Sequence, residues 1–325
     1  MRYTDIEFGL LIAARKARDL LLRTKTMKSQ KSLARRKVSQ LADFEKLSKS
    51  FSTRYQECSS FRYEKYVTSL WNGFNTKAEK AFLPSPTFSF LNDGTIMLTM
   101  FGGNKYDEEL LYLEKKYKKS ELSKLLLEDY VGNPLLVSNK YVTSFNSIRQ
   151  LYLLSLFFEK SKTQILSIKT VIEWGGGYGN MAKLFLRMKP EPVTYIMTDT
   201  PLFCCLQWLY LSTIFGTRNV RLITSDGDKI QKRKINIIPV GLLDSFTNQL
   251  NTDLFISTWG LSESSTYSQD FVAKRKWFGA KHIFLGFQKS SQNLPTAEYI
   301  GELAQKQGAT LETLKILPNN FLAFQ

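Results

Sequence analysis

Short apolar runs alternate with helix-length segments along the carboxy-terminal half of the chain, from about residue 168 onward. Apolar runs of four to six residues indicate buried strands, and the longer segments between them indicate helices. The predicted strands are Thr170–Trp174, Thr194–Thr198, Val220–Thr224, Ile235–Pro239, Asp253–Thr258, His282–Phe287 and Phe321–Phe324. The predicted helices are Asn180–Met188, Leu202–Phe215, Ser268–Phe278 and Thr296–Gln307. This alternation favours an α/β fold, Rossmann-like and doubly wound, with a mostly parallel seven-stranded sheet.

The amino-terminal half shows no such alternation. Residues 1–80 contain few Gly or Pro and many Leu, Lys, Arg and Glu, which predicts a mainly helical extension. In the accessory region that follows, 81–160, the segment LNDGTIMLTMFGG (91–103) predicts a hairpin that turns at Asn92–Gly94. Helices are predicted over about 107–129 and 145–160. The chain is therefore divided into 1–80, 81–160 and a sheet-bearing region, 161–325.

A glycine-rich segment, VIEWGGGYGNMAKLFL (171–186), joins the first strand to its helix. Glycines at such a junction let the backbone turn sharply and approach a ligand, and the N–H groups at the helix start face that ligand. Dinucleotides and S-adenosylmethionine both fit a loop of this kind. The dinucleotide fingerprint is G-x-G-x-x-G, whereas this chain reads G-x-G-x-G from Gly175 to Gly179, with Glu173 two residues before it.

A carboxylate follows at the end of the second predicted strand. Asp199, followed by Thr200, stands 20 residues after Gly179, where an acid can accept hydrogen bonds from both hydroxyls of a ribose. Two later strands compete for the place beside it. If 220–224 is the neighbour, Asp226 is expected to reach the adenine. If 235–239 is the neighbour, the backbone at Val240–Gly241 is expected to do so.

The order E-x-G-x-G-x-G resembles motif I of the class I S-adenosylmethionine-dependent methyltransferases. Further segments together resemble one bacterial branch of that class, the sugar O-methyltransferases. These are VGNP (131–134), the helix around Ser147–Tyr152, EWGGGYGNMAK (173–183), Asp199-x-Pro201 with LQWLYLS (206–212), NIIPV (236–240) and TDLFISTWGLSE (252–263). The resemblance covers about 130–325 and implies S-adenosylmethionine as cofactor. It also favours 235–239 as the neighbour of the second strand. The residues it implies for the cofactor are Glu173, Gly175, Gly176, Gly177, Tyr178, Gly179, Asp199, Thr200, Val240 and Gly241.

The loop after the fourth core strand, 257–267, is expected to face the methyl acceptor. It lacks the Asn/Asp-Pro-Pro-aromatic sequence of enzymes that methylate base nitrogens, and it carries Glu263 as a candidate base with Tyr267 nearby. Acceptor contacts are expected from Tyr141, Asn146, Arg149 and Trp259, and no metal site is predicted. The resemblance implies O-methylation of a sugar hydroxyl on a bacterial surface polysaccharide or glycolipid, and this is the function we expect. An RNA methyltransferase and a non-catalytic binding protein of the same fold remain as alternatives.

The charge of the chain is strongly positive, with 45 Lys and Arg against 29 Asp and Glu. Between residues 15 and 37 there are ten basic residues and one acid, Asp19. Such a segment suits an anionic membrane surface, nucleic acid less well, or simply a solvated helical face. The apolar stretch 8–22 is interrupted by charges and is too short to span a bilayer. A cytoplasmic protein, peripheral at the inner face of the membrane, is expected.

Overall fold

The computed structural model describes residues 5–35, 37–100 and 106–325, and the side chains of 5–12, 15 and 16 stand outside that description. Helices dominate the first half of the chain and alternate with strands in the second. The helices are α1 (Asp5–Lys25), α2 (Met27–Ala34), α3 (Lys37–Ser48), α4 (Phe51–Ser59), α5 (Ser69–Phe82), α6 (Gly94–Met100), α7 (Asp107–Lys116), α8 (Lys119–Leu125), α9 (Phe145–Ser161), α10 (Asn180–Met188), α11 (Pro201–Phe215), α12 (Thr266–Lys274) and α13 (Tyr299–Gln305).

Eight strands form one sheet in the order β3-β4-β2-β1-β5-β6-β8-β7. The strands are β1 (Thr170–Trp174), β2 (Thr194–Asp199), β3 (Val220–Leu222), β4 (Ile235–Pro239), β5 (Leu254–Thr258), β6 (His282–Gln288), β7 (Thr310–Thr313) and β8 (Asn320–Phe324). Only β8 runs against the others, because it pairs antiparallel with both β6 and β7. The parallel register of β1 with β2 and β5 brings their carboxyl ends to the same edge of the sheet.

Separate apolar cores cover the two faces of the sheet. Side chains alternate between the faces along a strand, so that Val171 of β1 joins the core formed with α9, α10 and α11. The next residue, Ile172, joins the core that includes residues of α12 and α13. Helices therefore pack on both faces, and the doubly wound α/β fold predicted from the sequence is confirmed.

The amino-terminal helices pack against the region that carries the sheet. Helices α3 and α4 lie along α11, and Phe51 and Cys58 of α4 belong to the same core as Leu206 of α11. Gln40 of α3 adds polar contacts, since its Nε2 donates to Asp129 Oδ1 at 3.0 Å and its Oε1 accepts from the Tyr130 N–H at 2.7 Å. The first 80 residues thus help to build the main core.

The hairpin predicted over 91–103 is wrong. The segment forms a short 3-10 turn, Phe90–Asn92, followed by α6, and residues 101–103 lie outside the described part. Asp93 explains the difference, because its Oδ1 accepts from the Thr95 N–H at 2.8 Å as a helix cap does. The helix predicted over 107–129 is also interrupted: the backbone is extended at Tyr117, whose hydroxyl contacts Ser155 Oγ on α9 at 2.8 Å.

All seven predicted strands are present, and the eighth, β7, was missed. β7 is an edge strand in which none of the four residues is fully buried, so its sequence carries no apolar alternation. The predicted helix over 268–278 ends early, because Lys276, Trp277 and Phe278 take positive φ. The helix predicted over 296–307 is shorter than expected, Tyr299–Gln305. No helix in the described ranges is long and apolar enough to cross a bilayer.

Candidate active site

A cavity of about 340 Å³ lies at the carboxyl ends of β1, β2, β4 and β5. The last residue of β1, Trp174, and the last residue of β2, Asp199, line it, together with Val240 after β4 and Thr258 at the end of β5. Its size and its mixture of aromatic and polar walls are typical of a small-molecule site. In a doubly wound sheet this is also the edge at which ligands bind.

The glycine loop after β1 forms one wall of the cavity. Gly175 and Gly177 have φ of +73° and +57°, values that residues with a side chain rarely adopt. A Cβ on Gly175 would stand 2.6 Å from the Cα of Gly260, so the loops after β1 and β5 touch through their backbones. A Cβ on Gly177 would stand 3.0 Å from Met100 Cε. Gly175 is therefore required by the close approach of the backbone at Gly260, whereas Gly177 is favoured mainly by its positive φ, because the Met100 side chain could move away.

The Asp199 carboxylate is fixed at the cavity by three donors. Its Oδ2 accepts from the Gly177 N–H at 3.2 Å and from Gln207 Nε2 at 3.0 Å, and its Oδ1 accepts from the Thr200 N–H at 2.8 Å. Burial raises the pKa of Asp199 to about 7, although the three donors lower it. The carboxylate is thus oriented by the glycine loop, by α11 and by the neighbouring backbone, and its Oδ1, which has a single donor, can still accept from a hydroxyl of a ligand.

Glu263 lies on another wall, in the loop after β5. Its Oε2 accepts from Trp71 Nε1 at 2.9 Å, and its Oε1 accepts from Gln288 Nε2 at 3.3 Å. Burial raises the pKa of Glu263 to about 7, while these two hydrogen bonds lower it. A carboxyl group with a pKa near neutrality, held at a cavity by two donors, has the properties of a general base.

The start of α9 closes the cavity on a third side. Asn146 lines it and donates from Nδ2 to the Tyr178 hydroxyl at 3.1 Å. Arg149 also lines it, with its Nε donating to the fully buried Glu109 at 2.7 Å and its guanidinium 4.3 Å from the centre of the Phe145 ring. These hydrogen bonds and the contact with the Phe145 ring fix the orientation of the Asn146 and Arg149 side chains, so this wall is preformed.

A buried ion pair supports this third wall. Glu128 and Lys183 are both 1% exposed, with Nζ and Oε2 separated by 2.7 Å. Glu128 Oε1 also accepts from the hydroxyls of Ser144 and Ser147 at the start of α9, both at 2.5 Å. Lys183 belongs to α10, which begins at the end of the glycine loop. The pair therefore connects the start of α9 to the helix that follows the loop.

The structure brings most of the predicted site residues to the cavity. Those that line it are Asn146, Arg149, Gly175, Gly176, Gly177, Tyr178, Asp199, Thr200, Val240, Trp259 and Glu263. The strand beside β2 is β4, the arrangement that the sequence favoured, and β3 with the nearby Asp226 lies beyond it at the edge of the sheet. Val240 accordingly borders the cavity, whereas Asp226 is exposed outside its wall.

Glu173 does not border this cavity. It is 2% exposed, on the face of the sheet that β2's Tyr195 shares, and the Tyr195 hydroxyl donates to its Oε2 at 2.8 Å. A Cβ on Gly176 would stand 3.1 Å from the Glu173 carboxyl carbon, which places the acid behind the loop. Burial raises the pKa of Glu173 to about 8. The resemblance implied that Glu173 contacts the ligand directly. In the structure Glu173 lies behind the glycine loop and packs against it.

Four other predicted residues also stand away from the cavity wall, each for a visible reason. Gly179 starts α10, where a side chain would meet Leu211 at 3.0 Å. Gly241 lies against the carbonyl oxygen of Arg62, at 2.6 Å from a built Cβ. Tyr141 is 4% exposed and packs in the core, and Tyr267 is 42% exposed, with its ring 5.2 Å from that of Tyr66.

The first 80 residues contribute to the cavity, which their sequence did not predict. Tyr66, Val67 and Trp71 line it, and α5 holds Trp71 against Phe203 with ring centres 5.9 Å apart. No local motif marks these positions, because their roles arise from contacts with residues far along the chain. Also unpredicted are Thr99, Met100, Phe145, Gln150, Trp174, Asn180, Phe203, Thr258, Gly260 and Ser264. Among the described side chains, no group of three or more His, Cys, Asp or Glu is arranged to hold a metal ion.

Comparison with known proteins gives only distant structural likenesses. No family model matches the chain, and no curated protein sequence matches it. An O-methyltransferase family protein from Burkholderia thailandensis has 13% identity and a TM-score of 0.37, over 55% of this chain and 57% of that one. The pyocyanin biosynthetic protein PhzM has 13% identity and a TM-score of 0.35, over 54% and 55%. The fibrillarin of Aeropyrum pernix, in complex with natively bound S-adenosyl-L-methionine, has 8% identity and a TM-score of 0.35, over 53% and 73%.

The chain thus spans little more than half the length of the first two structures. The fold rests on the strand order and the packing described above.

Proposed function

We propose that this protein is an S-adenosylmethionine-dependent O-methyltransferase. The observation that carries the proposal is that one cavity brings together a glycine loop, a carboxylate at the end of the neighbouring strand and a second carboxyl group on a different wall. Asp199 would hold the ribose hydroxyls, and the backbone of Gly175–Gly177 would leave room for the ligand beside it. Trp174, Tyr66 and Val240 offer apolar and aromatic surface to a base.

Bound S-adenosylmethionine supplies a methyl group on a positively charged sulfur, which is displaced when an oxygen attacks the methyl carbon. The protein must then orient the acceptor hydroxyl and remove its proton. We assign the acceptance of that proton to Glu263, and this assignment is supported by the hydrogen bonds from Trp71 and Gln288 that hold its two oxygens at the cavity. Glu263 would receive the hydroxyl proton as the acceptor oxygen takes the methyl group and the uncharged thioether leaves.

The acceptor that we propose is a hydroxyl of a sugar in a bacterial surface polysaccharide or glycolipid. The resemblance in sequence suggests it, and the chemistry of the acceptor side is compatible. Aromatic faces at Trp71, Phe145 and Trp259 offer apolar surface, whereas Asn146 and Gln150 offer amide groups for hydroxyls. Pockets of this composition combine apolar contact with a few orienting polar groups.

The first test is calorimetric titration with S-adenosylmethionine. Asp199→Asn should weaken binding by about tenfold to a hundredfold, because it removes a charged acceptor and turns an amide donor toward N–H groups. Asp226→Asn is the matched control, since Asp226 is exposed and outside the cavity wall, and its affinity should equal that of the wild type. Absence of binding by the wild-type protein would instead support a non-catalytic role.

The second test identifies the acceptor. Methyl transfer from cofactor labelled on the methyl group is measured into fractionated glycans, glycolipids and RNA. Label in a sugar fraction, stable to mild base as an ether is, supports the proposal. Label in RNA alone would replace the sugar by a nucleic acid while leaving the cofactor assignment intact.

A further inference from the structure

The segment from α1 to the start of α3 presents an unusual surface, which we call the α1–α3 surface and define as the exposed residues between 17 and 38. Of the ten basic residues counted between 15 and 37, the side chains of Arg15, Lys16 and Arg36 lie outside the described part. Five of the others are exposed to solvent, namely Lys25, Lys28, Lys31, Arg35 and Lys37. The positive charge of this segment therefore points outward.

Large apolar side chains are exposed among these charges. Leu20, Leu21, Met27 and Val38 are 69%, 64%, 59% and 82% exposed. Within the described residues, only three other large apolar or aromatic side chains are comparably exposed, and they are scattered over the remaining chain: Leu111, Leu166 and Tyr267. Clustering of exposed apolar groups on one short segment marks an interaction surface.

Among the described side chains of α1, the exposed ones fall on one face of the helix. With 3.6 residues per turn, positions 13, 17, 20, 21 and 24 are neighbours, and all five are exposed. Asp19 on the other side of the helix is buried. The exposed face therefore reads Ala, Ala, Leu, Leu, Thr, with Lys25 beside it, which is an apolar stripe flanked by positive charge.

This surface is held against the body of the protein. Arg23 donates to Asn92 Oδ1 at 2.8 Å, and Asn139 Nδ2 donates to the Lys25 carbonyl at 2.5 Å. On α2, Ser29 and Leu33 are buried while Lys28 and Lys31 face outward. The charges and leucines are thus presented together by folded helices.

We propose that the α1–α3 surface binds an anionic lipid bilayer, with Leu20 and Leu21 inserted at the interface and the lysines over the lipid phosphates. The mixture of basic and apolar side chains matches what interfacial helices present to such membranes. A second copy of the chain is the less suitable occupant, because each copy carries a net charge of +16 and would bring like charges together. The proposal is independent of the function proposed above.

The experiment is co-sedimentation of the full-length protein with vesicles. Vesicles of phosphatidylcholine alone are compared with vesicles that also contain phosphatidylglycerol, at about 0.15 M salt and at higher salt. Binding is expected only to the anionic vesicles and should weaken as salt rises. The variant K25Q/K28Q/K31Q should lose on the order of a hundredfold in partitioning, from about fivefold for each basic residue.

Two further variants make the test decisive. L20S/L21S should weaken binding by at least about tenfold without changing the charge, because two apolar side chains no longer enter the interface. K229Q/K232Q/K274Q removes three exposed lysines elsewhere and should bind as the wild type does. Equal losses in this control and in K25Q/K28Q/K31Q would overturn the proposal by showing a response to net charge alone.

Unchanged binding in L20S/L21S would also overturn it, as would equal binding of the wild type to neutral vesicles. Sedimentation velocity tests whether a second copy of the chain binds this surface instead. A wild-type dimer that dissociates in L20S/L21S, together with no binding to vesicles, would assign the surface to self-association. Far-ultraviolet circular dichroism and thermal melting confirm that each variant is folded.

Discussion

The Glu263 carboxyl combines a position at the cavity with a pKa that burial raises to about 7. If it removes the acceptor proton, Glu263→Gln should lower kcat by about a hundredfold to ten-thousandfold. The affinity for S-adenosylmethionine should stay within a factor of about two, since the residues proposed to hold that ligand are unchanged. The wild-type rate should rise with pH through an inflection near 7, as the carboxylate form becomes populated.

Steady-state kinetics over a range of pH checks this prediction. A variant that keeps the wild-type rate and inflection would remove Glu263 from the chemistry. A parallel loss of cofactor affinity would instead indicate that the substitution disturbs the loop after β5.

Glu173 gives a prediction about stability, because it is an acid buried behind the glycine loop. Its folded-state pKa of about 8 lies above the model-peptide value of 4.5. The native state therefore holds a proton that the unfolded chain releases at lower pH. The stability contributed by this proton is full below the unfolded-state pKa and is lost as pH rises through about 8. Glu173→Gln, which keeps an oxygen for the Tyr195 hydroxyl, should remove this loss.

Urea unfolding at about pH 6 and about pH 9 measures the effect. The wild type should lose more stability between the two conditions than Glu173→Gln does. Identical losses in both proteins would mean that Glu173 ionises in the folded state as it does in the unfolded chain.

At the scale of elements, the backbone contact between Gly175 and Gly260 joins the loop after β1 to the loop after β5. Gly260→Ala would bring a methyl group to 2.7 Å from the Gly175 Cα and must separate the two loops. Both cofactor binding and turnover should fall. Stability should drop by about 1–3 kcal/mol, as overpacking of a rigid site usually costs.

Gly73→Ala is the matched control on α5. A Cβ there meets nothing within 4 Å, and the helix should gain up to about 1 kcal/mol from the change. Calorimetry and denaturant unfolding compare the two variants. Equal behaviour of both would show that the loops can accommodate a side chain at position 260.

The elements that the sequence predicted are those whose signal is local. Seven strands and the helix after the glycine loop could be found because each buried run stands between turn-forming residues, and α10 matches its predicted bounds, Asn180–Met188. The false hairpin at 92–94 arose because Asp93 and Gly94 suit a turn as well as a helix start. Strand β7 was not predicted, because an exposed edge strand needs few apolar residues.

The candidate site likewise has a part that could be predicted from the sequence and a part that could not. The glycine loop and Asp199 lie close together in sequence and follow adjacent strands, so their meeting at one edge could be predicted. Trp71 could not be found, because its contact with Glu263 joins residues 192 positions apart. The orientation of Glu173 could not be predicted either, since a residue near the end of a strand can face either side of the loop that follows.

For the whole molecule, the buried Glu128–Lys183 pair connects the segment before α9 to α10. Lys183→Met would leave an uncompensated carboxylate in the core and should lower the free energy of unfolding by about 3–5 kcal/mol. Glu128→Gln combined with Lys183→Met should recover most of that loss, because no buried charge then lacks its partner. Denaturant unfolding of the single and double variants measures the coupling.

Lys232→Met serves as the control, since Lys232 is exposed. Its stability should differ from the wild type by no more than about 0.5 kcal/mol. If Lys183→Met were equally mild, or if the double variant were less stable than the single one, the ion pair would not act as described.

The hydrogen bond from Trp71 to Glu263 also joins distant parts of the chain at the cavity, because its donor and its acceptor are 192 residues apart. A fragment that ends after β4 would keep the glycine loop and Asp199 but would lack the wall formed by the loop after β5. The sheet-bearing region 161–325, made without the residues before it, would leave Glu263 without its indole donor. Neither fragment would contain the whole cavity.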